Sequence, residues 1–294
     1  MSAALHKMSL TVQTPAYPAA LFGRSAEGFP VALVADNAFA MVPGRDGGHY
    51  LASGWRLARP LADWTRTDFY GHAGDLADEA AFRSRVEENA LHQQQRVALG
   101  RRDIASRANT PWGPSQGVTV YADGVICHST AGHGGFHLDP ARNEKVHTLL
   151  RAADGFYEED CCWAAVAHAF PDLFTDLEKA AADQTLRDDQ PHGWEHIHGK
   201  VLDAGLSVAK DRLAFHSRHA ADWIVVSAIF CDYEPGFTEV IATVGGDRTH
   251  KQDTCRYLVP SAECATSGGR FGFVIDVSHH RLYDGPSSFI GWNR

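Results

Sequence analysis

The hydrophobic and polar positions in the first third of the chain predict a small sheet followed by a long helix. Within residues 28–60, short apolar runs are separated by the turn-forming sequence GRDGG at 44–48, which predicts a hairpin. Over residues 75–99, apolar positions recur near helical spacing, with acidic residues early in the first turns. We therefore predict one long helix over 75–99, after the N-terminal strands.

The middle of the chain predicts a hairpin that leads into a helix. The stretch GVTVYADGVICHST contains two apolar runs joined by Ala-Asp-Gly, which is typical of a hairpin turn. Asp139 followed by Pro140 is typical of a helix start. The helix that they begin is predicted to continue to about Ala153.

Acidic helices and then strands follow along the chain. One helix is predicted from the acidic residues 158–160 to a stop at Pro171, and two more over 174–187 and 194–209. From residue 222 onward, apolar runs of strand length alternate with Gly, Pro and Asp, which predicts an antiparallel sheet. The predicted fold class is α+β: an N-terminal sheet with a long helix, a central hairpin with an acidic helical layer, and a C-terminal antiparallel sheet.

The turn-rich stretch 100–114 is the best candidate for a boundary along the chain. We predict three parts, 1–105, 106–205 and 206–294, which pack together as one unit or fold separately. The net charge of −9 is uneven, because the middle part contains 7 basic and 15 acidic side chains. An acidic surplus of this size favours solubility and a basic protein partner.

Charge and hydropathy argue against two classes of partner. A protein that binds a nucleic-acid backbone needs a basic face, and the chain has no Lys/Arg cluster beyond Gly-Arg-Arg at 100–102. The chain also has no run of about 18 apolar residues, so we expect no membrane span. Residues 1–17 contain no apolar stretch long enough for a secretory signal. We therefore expect a cytoplasmic location.

A histidine-rich stretch follows the predicted hairpin, in HSTAGHGGFHLDP at 128–140. Zinc requires three or four donors at about 2.0–2.3 Å, but residues four apart on a strand, such as His133 and His137, lie about 13 Å apart. The glycines between them can bend the chain and bring the imidazoles together with His128. Three interpretations stay open: a zinc site, a polar site at His133 without metal, and a structural turn.

The sequence YEEDCCWA at 157–164 suggests a second candidate site. Cys161 or Cys162 at a helix start, near a histidine, is an arrangement that cysteine hydrolases use. The three carboxylates directly upstream oppose this chemistry, because they favour the neutral thiol. We therefore interpret the acidic residues as helix caps and the cysteines as small, buried and reduced side chains, since none of the six cysteines has CxxC spacing.

Other motifs are weaker. The zinc motif HxxEH occurs literally as His192, Glu195 and His196, but no second motif supplies a further carboxylate ligand. The sequence GGDRTH at 245–250 lacks both a P-loop lysine and the GxGxxG pattern, so these motifs do not support nucleotide binding. The stretches HSRH and SHH look like exposed turns.

Three separated pieces of the middle part resemble one known family. They are Thr110-Pro111-Trp112-Gly113, His133-Gly134-Gly135 and the acidic run Tyr157-Glu158-Glu159-Asp160. Over about residues 106–205, the chain resembles an uncharacterised domain family of proteobacterial plasmids and integrative mobile elements, a domain of unknown function. Members look like accessory proteins, some of which have the domain beside replication or anti-restriction modules. The resemblance implies a biological context and no reaction.

Two functional hypotheses follow. In the first, the chain is an accessory protein of a mobile element, with an anti-defence role, that binds a host or element-encoded protein. In the alternative, it is a hydrolase or transferase, with or without zinc. The catalytic candidates are His133, Glu158, Glu159 and Asp160, and the binding candidates are Trp112, His128, His137 and Tyr157. Whether the chain is an enzyme stays open, and the second hypothesis requires that His133 faces the carboxylates.

Overall fold

The structure is a computed structural model that describes residues 19–45, 47–249, 254–267 and 269–289. The N-terminal stretch that bears on a secretory signal, and His250 of the GGDRTH sequence, lie outside the described residues. The chain divides into two compact units, Met1–Leu186 and Arg187–Arg294. The described sheets are all antiparallel and occur together with α-helices, so the predicted α+β class is confirmed. The three predicted domain boundaries stay a prediction.

The N-terminal part of the first unit is a five-stranded sheet in the order β1-β2-β3-β4-β5. Its strands are β1 (Leu21–Arg24), β2 (Pro30–Val34), β3 (Asn37–Pro43), β4 (His49–Trp55) and β5 (Asp75–Leu76). The predicted hairpin is confirmed, because β3 pairs with β4 across the GRDGG sequence. Two short 3-10 helices, Leu61–Asp63 and Arg66–Asp68, flank the fully buried Trp64.

The predicted long helix is present as α1 (Glu79–Ala98). It begins where the Asp78 side chain accepts a hydrogen bond from the Ala81 backbone N–H at 2.8 Å. Its buried residues, Phe82 and Val86, pack against one face of the N-terminal sheet. The first two residues of the predicted helix form β5 instead.

The central sheet has the order β12-β11-β10-β9-β6. Its strands are β6 (Arg102–Ile104), β9 (Gly117–Ala122), β10 (Val125–Ser129), β11 (Gly134–Leu138) and β12 (Phe156–Glu158), and a separate pair is formed by β7 (Asn109–Thr110) and β8 (Gly113–Pro114). The predicted hairpin is confirmed, since β9 pairs with β10 across Asp123-Gly124.

The helix predicted from Pro140 to Ala153 is wrong beyond its first turn. Asp139 caps its start as expected, through a 2.7 Å bond from the Arg142 N–H, but helix α2 is only Pro140–Asn143. The Asn143 side chain donates to the Ala152 carbonyl at 2.8 Å and accepts from the Tyr157 hydroxyl at 2.5 Å. These contacts fold the chain back on itself, and a continuous helix would hold these residues apart.

The next helices of the first unit are α3 (Trp163–Ala169) and α4 (Asp176–Asp189), separated by a 3-10 helix at Pro171–Leu173. The predicted stop before Pro171 and the helix near 174–187 are confirmed. The prediction that residues 158–160 start a helix is wrong, because Phe156–Glu158 is a strand and a turn precedes α3. The acidic residues therefore end a strand at the edge of the central sheet.

The second unit contains α5 (Pro191–His198), α6 (Val208–Arg218), α7 (Ser261–Ser267) and a sheet in the order β13-β14-β15-β16. Its strands are β13 (Trp223–Phe230), β14 (Phe237–Val244), β15 (Thr254–Pro260) and β16 (Arg281–Leu282). The single helix predicted over 194–209 is wrong, because α5 ends at Gly199, which has a left-handed φ of 61°.

The C-terminal antiparallel sheet is confirmed, but the run GRFGFVIDVS contributes only isolated bridges, such as Ile224 with Val274. Among the described residues, no helix has the length and apolar character needed to cross a membrane.

Candidate functional site

A tight turn between β10 and β11 positions His133. The Thr130 hydroxyl contacts the His133 carbonyl and accepts the His133 backbone N–H at 3.3 Å, and the Thr130 N–H donates to the same carbonyl at 3.2 Å. Serine and threonine hydroxyls commonly hold turns in this way. The backbone of His133 is thus fixed, while its imidazole, with 61% of the side chain exposed, faces solvent.

Strand pairing brings the acidic residues to this turn. Because β12 pairs with β11, Glu158 lies opposite Gly135, and the Glu159 N–H donates to the Gly134 carbonyl at 3.0 Å. The register leaves His133 Nδ1 3.4 Å from Glu158 Oε1. One ligand atom each from His133, Glu158 and Asp160 lies within 4.8 Å of the others. The structure therefore brings these three candidates together.

The carboxylate of Glu158 has one satisfied oxygen and one unsatisfied oxygen. Glu158 Oε2 accepts the Asp160 N–H at 2.7 Å, whereas Oε1 is shielded from solvent and has no hydrogen-bond partner. At 3.4 Å, the His133 contact is longer than a normal N–H···O bond. Two ligands at about 2.0–2.1 Å from a tetrahedral zinc ion lie roughly 3.3 Å apart. The separation thus fits two ligands of one ion better than it fits a hydrogen bond.

The Trp112 ring packs against the backbone beside Glu158. A Cβ at Gly135 would lie 2.6 Å from Trp112 Cη2, 2.2 Å from the Tyr157 carbonyl and 3.0 Å from Glu158 Cα. Only glycine permits this approach, and its φ of 156° is also rare for other residues. Trp112 packs edge-to-face on Phe156, with ring centres 5.8 Å apart. The Trp112 and Phe156 rings therefore form an aromatic wall next to the three clustered residues.

His128 and His137 lie on the same face of the central sheet but belong to a neighbouring group. The His137 ring stacks on Phe156 at 4.3 Å and lies 6.3 Å from the His128 ring. His128 is buried, and its Nδ1 lies 3.0 Å from the Ser115 hydroxyl, which donates to the Gly117 carbonyl. In neutral His128, Nδ1 is therefore the donor. Burial, together with nearby His137, lowers the pKa of His128 and favours this neutral form.

Glu159 and Tyr157 do not belong to the cluster with His133. The Glu159 carboxylate lies where a Gly134 side chain would be, 2.7 Å from that position. Burial, with a further effect from Glu159, raises the pKa of Cys127 to about 11. Tyr157 is fully buried, and its hydroxyl donates to Asn143 and accepts the Ala152 N–H. The stretch at 128–140 therefore contains both features that were left open: it forms a structural turn, and His133 lies close to carboxylates.

The cysteines next to the site, Cys161 and Cys162, lie in the turn before α3. Their sulfur atoms are 3.7 Å apart, and none of the six cysteines forms a disulfide. Cys162 occupies the N-cap position of α3, but its side chain makes no capping hydrogen bond. Asp160 and Glu158 therefore precede the helix without capping it, which corrects the predicted capping role.

The second unit contains another cluster that the sequence did not suggest, Glu263 with His279 and His280. The prediction that SHH is an exposed turn is wrong for His280, which is buried. Its Nδ1 accepts the Asp276 N–H at 3.0 Å, so the ring proton is on Nε2, which lies 3.1 Å from Glu263 Oε1. Because this tautomer leaves no lone pair toward Glu263, we interpret the cluster as a hydrogen-bonded link between α7 and the 276–280 turn.

The HxxEH residues lie on α5, but their glutamate is already engaged. Glu195 contacts the Lys210 ammonium group and accepts the Leu202 N–H at 2.7 Å. The Lys210 contact, followed by the Leu202 bond, holds the pKa of Glu195 below its usual value. This ion pair stabilises the charged carboxylate without a metal ion.

Comparison with known proteins gives one match and two negative results. No curated protein and no solved structure matches the chain significantly. One family model, of a domain of unknown function, matches a segment that contains His133, Trp112 and the acidic run. This match agrees with the resemblance to a domain of unknown function over about 106–205. Nothing in the match concerns plasmids or mobile elements. Residues 105–220 match the family model DUF7007, a domain of unknown function.

Proposed function

We propose that the DUF7007 region is a zinc-dependent hydrolase or group-transfer enzyme whose metal ligands are His133, Glu158 and Asp160. The observation that supports this most is the unsatisfied Glu158 Oε1, 3.4 Å from His133 Nδ1 and close to Asp160. A mixed imidazole and carboxylate set suits zinc. Three protein ligands leave a coordination position open, as in catalytic zinc sites.

The surroundings of the three residues are consistent with access by a substrate. The His133 side chain is 61% exposed and that of Glu158 is 26% exposed, so the cluster lies at the protein surface although Glu158 Oε1 itself is shielded. Zinc in such a site lowers the pKa of its bound water to about 7, and the resulting hydroxide is a nucleophile at neutral pH. The aromatic wall of Trp112 and Phe156 offers an apolar surface for part of a substrate.

Zinc titration of the metal-free full chain by calorimetry tests the metal site. We expect one equivalent to bind, and we expect His133→Ala and Asp160→Asn to lose it. His192→Ala is the matched control, because it removes a histidine of the HxxEH sequence, whose glutamate is paired with Lys210. Equal zinc binding by the wild type and His133→Ala would contradict the proposal.

Hydrolysis of activated esters and phosphodiesters by the zinc-loaded chain tests the reaction. We expect turnover of one substrate class by the wild type and by His192→Ala, and none by Asp160→Asn. If the chain binds one zinc ion at His133 but hydrolyses none of these substrates faster than free zinc, the metal site stands and the hydrolytic function does not.

A second candidate function is the accessory role in a mobile element, with an anti-defence effect exerted through protein binding. It rests on the resemblance described above and on one structural observation. The second half of β13 lies at the edge of its sheet and exposes Ile229 and Phe230, the latter by 75%. Exposed apolar groups on an unpaired edge are typical of protein-binding surfaces. A stoichiometric partner that is lost with Phe230→Asp and kept with His133→Ala would favour this role.

A further inference from the structure

The second unit contains a pocket of about 480 Å³ that is separate from the histidine and carboxylate site. Its lining contains apolar residues, among them Ile224, Val225 and Phe271, and polar residues, among them His216, Asp247 and Arg248. This volume lies in the range of small-molecule sites, about 300–1,000 Å³. We propose that this pocket binds a phosphorylated small molecule with a planar or apolar part, about the size of a nucleoside phosphate.

Helix α6 contributes His216 to the pocket lining. Arg212 lies near Phe215 and His216 on the helix surface, since it precedes them by three and four residues. Phe215 packs near Phe271 with ring centres 6.1 Å apart, and the Arg212 guanidinium lies 6.0 Å from the Phe271 ring centre. The Arg270 guanidinium lies 5.9 Å from the same ring. Two cations therefore flank an aromatic ring that lines the pocket.

Three arginines at or near the pocket lack an ion-pair partner among the described residues. Arg212, Arg248 and Arg270 form no ion pair with any carboxylate of the described residues. Because a guanidinium group donates two parallel hydrogen bonds to phosphate oxygens, three of them near one pocket favour a phosphate-bearing ligand.

Three carboxylates that lie close in the chain to the pocket residues bond to groups other than these arginines. Asp247 lines the pocket, but its Oδ1 accepts the Thr249 N–H at 2.7 Å and the Thr249 hydroxyl at 2.6 Å. Both oxygens of Asp211 accept the Gly205 N–H at 3.0 Å. Asp222 bonds to His219 at 2.8 Å. These hydrogen bonds hold Asp211 and Asp247 in place without an arginine partner, and the three guanidinium groups remain able to donate to a phosphate.

A glycine keeps the pocket open. Gly246 has a left-handed φ of 75°, and a Cβ there would lie 3.5 Å from Ile224 and 3.6 Å from His216, two residues that line the pocket. Any side chain at this position would occupy part of the cavity. The apolar lining residues Ile224, Val225 and Phe271 suit a ring or another apolar group.

Calorimetry with ATP, pyrophosphate and adenosine tests the proposal, in the presence of EDTA so that metal at the His133 site does not contribute. We expect ATP to bind most tightly, pyrophosphate more weakly, and adenosine weakest. We expect each of Arg248→Gln and Arg270→Gln to lower ATP affinity by about tenfold, because each removes charge-assisted hydrogen bonds. Phe271→Leu is expected to weaken ATP and leave pyrophosphate unchanged.

Arg218→Gln is the matched control, because Arg218 is an exposed arginine of α6 that does not line the pocket. We expect it to bind ATP like the wild type, and circular dichroism verifies that each variant is folded. The proposal is overturned if neither ATP nor pyrophosphate binds, if adenosine binds as tightly as ATP, or if the Arg248 and Arg270 variants bind ATP like Arg218→Gln.

Discussion

Gly135→Ala is the substitution whose effect follows most directly from the geometry around the candidate site. The added Cβ would lie 2.2 Å from the Tyr157 carbonyl and 2.6 Å from the Trp112 ring. The carbonyl belongs to β12, which pairs with β11 at this position, so it cannot move without disturbing that pairing. Gly132→Ala, in the same turn region, is the matched control, because nothing lies within 4 Å of its added Cβ.

The expected loss of stability in Gly135→Ala has two sources. Overpacking costs about 1–3 kcal/mol, and an alanine in a sparsely populated backbone conformation costs about 1–3 kcal/mol more. We therefore expect Gly135→Ala to lower the free energy of unfolding by about 3 kcal/mol or more. With a urea dependence of about 2 kcal/mol per molar, the unfolding midpoint falls by about 1.5 M. Gly132→Ala is expected to stay within about 0.5 kcal/mol of the wild type.

Urea unfolding followed by circular dichroism measures both variants. Because relief of the collision displaces β12, which contains Glu158, we also expect the folded fraction of Gly135→Ala to bind zinc more weakly. Equal midpoints for Gly135→Ala and Gly132→Ala would refute the close approach of Trp112 and Tyr157 to this glycine.

One buried and one partly buried ion pair give further predictions. Glu239→Gln leaves the buried Arg256, 2.8 Å away, without its partner, and we expect thermal unfolding to show a loss of about 3 kcal/mol. Burial alone raises the pKa of Glu239, but bonds from Ser287, Arg256 and the Ser288 backbone outweigh it and lower the pKa below the usual 4.5. This stabilisation is therefore present above about pH 4.5 and lost as the pH falls through the lowered pKa, and an acid titration of Glu239→Gln lacks this component. Arg101→Lys is expected to lower the free energy of unfolding in urea by about 2 kcal/mol, since Arg101 makes two bonds to Glu178, at 2.6 and 2.7 Å. Arg102 is exposed, so the control variant Arg102→Lys is expected to change this free energy little. Equal stability of the two lysine variants would contradict the role of the Glu178 pair.

Local turn chemistry made several elements predictable from the sequence. Asp123-Gly124 and the GRDGG sequence each select a hairpin because their residues adopt turn conformations easily, and both hairpins are present. Asp139-Pro140 correctly marks a helix start for the same local reason. The approach of His133 to Glu158 was also expected from the sequence, as a requirement of the catalytic hypothesis.

Elements that depend on distant contacts were not predictable. The helix after Pro140 ends early because Asn143 bonds to residues 9 and 14 positions later in the chain. Phe156–Glu158, at the start of the acidic run, forms a strand by pairing with β11, and no local pattern signals such pairing. The burial of His280 depends on its bond to Glu263, 17 residues away, which the sequence SHH does not reveal.

The candidate site was predictable in part for a similar reason. Histidines and carboxylates are conspicuous in a sequence, so His133, Glu158 and Asp160 were named. Thr130, which holds the turn, was not named, because threonine is common in turns of every kind. Glu159 was included with its neighbours, although alternation along the chain places it apart from His133.

Anomalous diffraction from a zinc-soaked crystal of the full chain tests the central claim most directly. We expect one peak within about 2.0–2.2 Å of ligand atoms from His133, Glu158 and Asp160. Zinc bound only at Glu263 and His279, or no zinc beside a direct hydrogen bond between His133 and Glu158, would contradict the account.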